Sequence, residues 1–186
     1  MILATFSELR GDYMQDINEK QEEKIKKIRE KVEVDSGKLE EIVFSIIKPY
    51  IEDLDNYVDF IKSVLKDGEN PPTAQELDDF CMNLSVYIYY ASGMQEQLGI
   101  KDDISKALYK EMYHSYRDSI EKGTVADKDS LAELASQTEY LTSICYKRAY
   151  SIVKAKVAAA QEILSSVKKI ITRRTSEMEL TRIGGR

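Results

Sequence analysis

Hydrophobic residues recur along this chain at intervals of three and four, and glycine and proline are sparse. The pattern predicts about five helical segments and no convincing strand. The first segment, from about Ser7 to Glu33, has only a thin apolar line, Ile17, Ile25, Ile28 and Val32, enough to pack against one neighbour. Val32 and Val34 alternate too briefly to hold a sheet, and Ser36-Gly37 reads as a break between helices. From Leu39 to Lys66 the stripe is wide, carrying Ile42, Val43, Ile46, Ile47, Tyr50, Ile51, Leu54, Tyr57, Val58, Ile61 and Leu65. Pro49 lies inside it and predicts a kink, because proline removes one backbone bond and crowds the preceding turn. Asp67-Gly68-Glu69-Asn70-Pro71-Pro72 ends this helix. It marks a boundary between an N-terminal helical pair over residues 1–67, an arm or a part of the bundle, and a helical core over residues 73–183.

Beyond the prolines, Thr73 and Glu76 form a capping box, so a third helix starts near Ala74. Gly99 followed by Ile100 reads as its C-cap, and Asp102-Asp103 as the acidic start of a fourth helix that ends before Gly123. The fifth begins between Thr124 and Ser130 and meets no glycine or proline until Gly184. As one helix it would be about 75 Å long, against a diameter near 40 Å for a compact globule of this size. Such a helix projects, breaks near Thr172 to Ser176, or packs against copies of itself, and its apolar content favours the last. The expected fold is therefore all-α, an elongated helical bundle with a long C-terminal helix and a frayed tail from Ile183 to Arg186.

At 100° per residue, Leu141, Cys145, Ile152, Ala159, Ile163, Val167 and Ile170 share one broad face, extended by Val153, Ala160 and Leu164. This is the expected oligomer interface, and Val157-Ala158-Ala159-Ala160 permits close backbone approach. Lys147, Lys154, Lys168 and Lys169 lie on the opposite side, with Arg148 and Arg173 flanking and Arg174 following. Residues 141–186 hold ten Lys plus Arg against three acids, net +7, and residues 1–140 hold seventeen against thirty, net −13. The overall −6 thus hides a polarised chain, whose basic stripe either tracks phosphates or docks on an acidic protein surface. Tyr146 and Tyr150 accompany the basic residues as candidate stacking groups. Tyr109, Tyr113 and Tyr116 accompany Lys106, Lys110 and Arg117 in the same way, although their spacing suits a half-buried helix face equally well.

Composition removes most other functions. With 42% hydrophobic and 32% charged residues, no uncharged run approaches the roughly 20 apolar residues a membrane span needs. The N-terminus lacks a secretory pattern, so the expected location is the cytoplasm, away from membranes. Cys81 and Cys145 indicate buried thiols, not a disulfide framework. Glu111-Met112-Tyr113-His114 matches the Glu-x-x-His element of di-iron bundles, but the chain has no second histidine, and no phosphate-cradling loop or Cys/His metal spacing occurs. Neither a cofactor nor a metal nor an enzymatic activity is expected.

Residues 73–178 resemble the UvsY family of phage recombination mediators in the order of parts. A Tyr- and Leu-rich helix, Leu77 to Tyr90, leads to a Lys- and Tyr-bearing helix, Lys106 to Arg117. Ala126-Asp127-Lys128-Asp129 then opens a long helix with Tyr140, Ile144 and Cys145 ahead of basic residues. The resemblance implies a helical homo-oligomer, or ring, that binds single-stranded DNA and acts beside recombinase and single-strand-binding protein. Residues 1–72 have no counterpart in it, and here most positive charge sits on the last helix. On this reading Lys147, Arg148, Lys154, Lys168, Lys169, Arg173 and Arg174 contact phosphates while Tyr146 and Tyr150 stack. The alternative is a phage virion, scaffold or adaptor protein acting through helix–helix contacts.

Overall fold

The computed structural model describes the backbone of residues 2–184 and the side chains of residues 23–183. Among the described residues there are four helices and no strand: α1 (Ile2–Lys66), α2 (Ala74–Ser119), α3 (Val125–Ala135) and α4 (Gln137–Gly184). The chain divides into two compact units, Met1–Ile42 and Val43–Arg186, and α1 contributes to both. Residues 67–72 form the loop joining α1 to α2 within the second unit.

In the first unit the described part of α1 is exposed, including Ile25, Ile28, Val32 and Val34, except at Ser36 and Leu39, which are half-buried. Ile17 of the anticipated apolar line lies outside the described side chains. Local pairs such as Lys27–Glu23 (2.8 Å) lace this surface, and Ser36 Oγ donates to the Glu33 carbonyl (3.0 Å). The helix runs unbroken through Ser36-Gly37, where a break was expected, and continues through Pro49.

The second unit is built on recurrences of seven. Ile47, Leu54 and Ile61 alternate with Ile51 and Val58 to form the buried seam of α1. Leu77, Leu84, Ala91, Leu98 and Ser105 are buried on α2, and Val153, Ala160 and Val167 on α4. A seven-residue apolar repeat keeps one seam facing its neighbours and gives left-handed bundle packing. Removing each large side chain of these seams from water contributes about 1.5–3 kcal/mol.

Pairs of contacts fix the directions. Tyr50 Oη accepts from Lys101 Nζ (2.8 Å), Tyr57 packs on Tyr87 (5.0 Å) and Phe60 on Phe80 (5.8 Å), so this part of α1 runs antiparallel to α2. Gly99 meets Tyr150, and Tyr109 packs on Tyr140 (5.3 Å), so α4 also runs antiparallel to α2 and parallel to this part of α1. α3 packs mainly on the end of α2.

The first two expected helices merge in α1, and the third and fourth merge in α2. α2 passes through Gly99, Ile100, Asp102 and Asp103 without a break. Gly99 is a point of close approach, since a Cβ there would lie 3.4 Å from the Tyr150 ring. Asp102 is buried and accepts from Lys106 Nζ at 2.5 Å, an i, i+4 pair within the helix and not an N-terminal acid. The expected long final helix is divided instead at Ser136, whose hydroxyl and N–H both donate to the Ala132 carbonyl (2.8 and 2.9 Å). Gly123, at φ 127°, makes the left-handed turn before the capping box of Thr124 and Asp127 that starts α3. Of the expected frayed tail, Ile183 and Gly184 are helical, while Gly185 and Arg186 lie outside the described residues.

Candidate nucleic-acid interface

Val153, Ala160 and Val167 turn one side of α4 inward, and the residue after each of them then falls on the flank beside α2. This places Lys154, Gln161 and Lys168 in one line, continued by Lys147 one repeat earlier. Lys147 and Lys168 are 21 positions apart, about 31 Å along the axis. Arg148, Glu162 and Lys169 run beside them on the next line. Lys147, Arg148, Lys168 and Lys169 are exposed, and none of their side chains forms an ion pair or hydrogen bond with another described residue. Lys154 Nζ stands 6.0 Å from the centroid of the Tyr150 ring.

Arg173 and Arg174 are not brought into this line. Arg173 pairs with Glu177 of its own helix (2.8 Å), and Arg174 donates to the Pro72 carbonyl, holding the end of α4 against the loop before α2. Lys156 is also withdrawn, bonded to Asp55 of α1 at 2.6 Å.

Of the mid-chain cations Lys106 and Arg117 are engaged, whereas Lys110 is exposed. Lys106 bonds Asp102. Arg117 Nε lies 2.5 Å from Asp129 Oδ1 of α3, which also accepts from Tyr113 Oη at 3.2 Å. The Arg117 hydrogen bond holds the Asp129 carboxyl below its ordinary range despite the opposing cost of desolvation. Tyr109, Tyr113 and Tyr116 are half-buried in the packing of this end. α4 thus carries the row of exposed cations whose side chains have no acidic partner, and Lys110 on α2 stands apart from it.

Tyr146 and Tyr150 are half-buried, Tyr150 lying over Gly99. The face assigned to oligomerisation is divided by the fold. Cys145 and Val167 are buried in the chain's own core, and Ile152, Ile163 and Ile170 are half-buried at its edge. Leu141 and Ala159 are exposed. The true centre of the buried face is Ala149, Val153, Val157 and Ala160, rotated from Leu141 and Ala159 because two helices, α1 and α2, cover α4 from one side.

Two exposed groups escaped the sequence reading. Tyr89 and Tyr90 are 75% and 64% exposed, with ring centroids 5.6 Å apart in an edge-to-face pair. The seven-residue spacing of Leu84 and Ala91, with Ile88 between them, was the signal that pushes both tyrosines outward. The second group is the outer surface of α2, where Met82, Val86, Ile100 and Ile104 are all exposed. Among the described residues no cluster of His, Cys, Asp and Glu is arranged to hold a metal, His114 is exposed, and no helix is long and apolar enough to cross a membrane. Comparison with protein-family models, curated proteins and solved structures gives no match to this chain.

Proposed function

We propose that this chain is a non-enzymatic, homo-oligomeric protein that binds single-stranded DNA without sequence preference, as a recombination mediator assisting recombinase loading does. The observation that carries this reading is the line Lys147, Lys154 and Lys168 with Arg148 and Lys169 beside it, exposed and free of acidic partners on an otherwise acidic chain. A line of cations on a rigid helix neutralises successive phosphates and releases their counterions. Exposed Tyr89 and Tyr90 favour single strands, whose unpaired bases present faces for stacking. Exposed Met82, Val86, Ile100 and Ile104 on α2 offer apolar surface for self-association.

The test is anisotropy of labelled oligo(dT) across a salt series, with light scattering for mass. Replacing Lys147, Lys154 and Lys168 by Ala should reduce the slope of log K against log salt by about 2, at roughly 0.7 per phosphate contact on a single strand. An unchanged slope in the folded triple variant removes this line as the binding site.

A second reading, a virion, scaffold or adaptor component, is favoured by one observation: Ile25, Ile28 and Val32 form an exposed apolar line on α1 with spacings of three and four. A stable multimer with no affinity for oligo(dT) at low salt would select it.

A further inference from the structure

The groove beside Lys154 has no part in phosphate tracking. It is an open trough of about 700 Å³ between the middle of α2 and α4, within the size range of small-molecule sites. It exists because the facing residues are small: no heavy atom of another group lies within 4 Å of where a Gly93 Cβ would sit, and Ala158 faces it from α4. Tyr89, Tyr90, Gln95, Lys154 and Gln161 are among the residues that line it.

We infer that this groove is a nucleobase subsite: it takes one unpaired base against the Tyr89–Tyr90 pair while Lys154 holds the adjoining phosphate. The inference rests on the single-strand reading above and adds to it the place where one base and its phosphate sit. Three observations select a base as the occupant over an apolar peptide side chain. In an edge-to-face pair one ring's face receives the other's edge, and at 75% and 64% exposure these rings keep open surface for a flat π-system. Gln95 and Gln161 each carry both a donor and an acceptor, so either can pair with the edge of any base, which suits binding without sequence preference. Lys154 belongs to the line of lysines, so a strand following that line passes the mouth of the groove. Glu96 also borders the trough, and its carboxylate disfavours a second phosphate there.

The experiment compares the full chain's affinity for oligo(dT) and for an abasic strand of the same length and charge, at one low salt concentration. The expected result is oligo(dT) binding roughly tenfold tighter, the scale of one base–aromatic stack. The Y89L/Y90L variant should lose that preference while keeping the wild-type affinity for the abasic strand and its salt dependence. Equal wild-type affinity for the two strands overturns the subsite and leaves the phosphate line standing. Retention of the preference by a folded Y89L/Y90L variant also overturns it. Binding to neither strand removes the single-strand reading and the subsite together. The wild-type comparison needs no variant, so failure of the double variant to fold does not shield the inference.

Discussion

Lys156 Nζ lies 2.6 Å from Asp55 Oδ2, tying α4 to α1, whereas Lys154, two positions away, reaches toward Tyr150 beside α2. Two lysines of one basic helix thus have different work. Lys156 and Asp55 are each more than a third exposed, so solvent screening limits their pair to about 1 kcal/mol or less.

Lys156→Ala is therefore expected to lower unfolding free energy by up to about 1 kcal/mol. It should leave oligo(dT) affinity unchanged. Lys154→Ala should do the reverse, weakening binding without moving the urea midpoint. The pair of variants separates charge used for folding from charge offered to a ligand, and matching effects in both would show that the division drawn from the structure is wrong.

The capping boxes give the stability a sign with pH. Glu76 is held below its ordinary 4.5 by the Thr73 N–H and hydroxyl, and Asp127 below its ordinary 3.8 by the Thr124 hydroxyl and N–H. A carboxyl with a depressed folded pKa binds fewer protons in the folded state than in the unfolded one. Its contribution is therefore complete above the ordinary value and disappears as pH falls through the lower, folded value. Thermal stability should decline as pH is lowered from about 5 into the acid range. The Thr73→Ala variant should lose about 1 kcal/mol near neutrality, and its deficit should shrink toward low pH, where Glu76 is protonated in both chains. A deficit constant across the titration would mean that Glu76 is not the group coupled to the cap.

Local chemistry made parts of this fold legible. Thr73 and Glu76 announce the start of α2, and the stripe from Val43 to Leu65 announces the buried side of α1. The breaks were read wrongly because they depend on tertiary contact. Gly99 resembles a C-cap until Tyr150 is seen against it, a partner 51 positions away. Asp102 resembles a helix start until it is found buried with Lys106. Ser136 divides the last two helices with neither glycine nor proline, so no punctuation marked it. For the candidate site, the seven-residue spacing of Lys147, Lys154 and Lys168 was present in the sequence. The withdrawal of Lys156 and Arg174 was not, since Asp55 and Pro72 lie 101 and 102 positions from them.

The two thiols differ in a way that reports on the basic line. Cys145 is buried in α4, and burial raises its pKa. Cys81 on α2 is only half-buried. Its pKa is raised mainly by desolvation and further by Asp78, while Lys168 pulls it down. A disulfide reagent near neutral pH should therefore modify Cys81 slowly and Cys145 only as the bundle opens, because the thiolate is the reacting species and access controls the rest. Lys168→Ala removes the one favourable charge, so Cys81 should hold less thiolate and react more slowly still, with Cys145 unaffected. A polyanion seated on Lys168 acts in the same direction, by neutralising that charge and by covering the thiol. Saturating oligo(dT) should thus slow Cys81 modification in the wild-type chain and have a smaller effect in Lys168→Ala. If oligo(dT) binds and the Cys81 rate does not change, the strand runs elsewhere than past Lys168, and the line drawn along α4 is not its path.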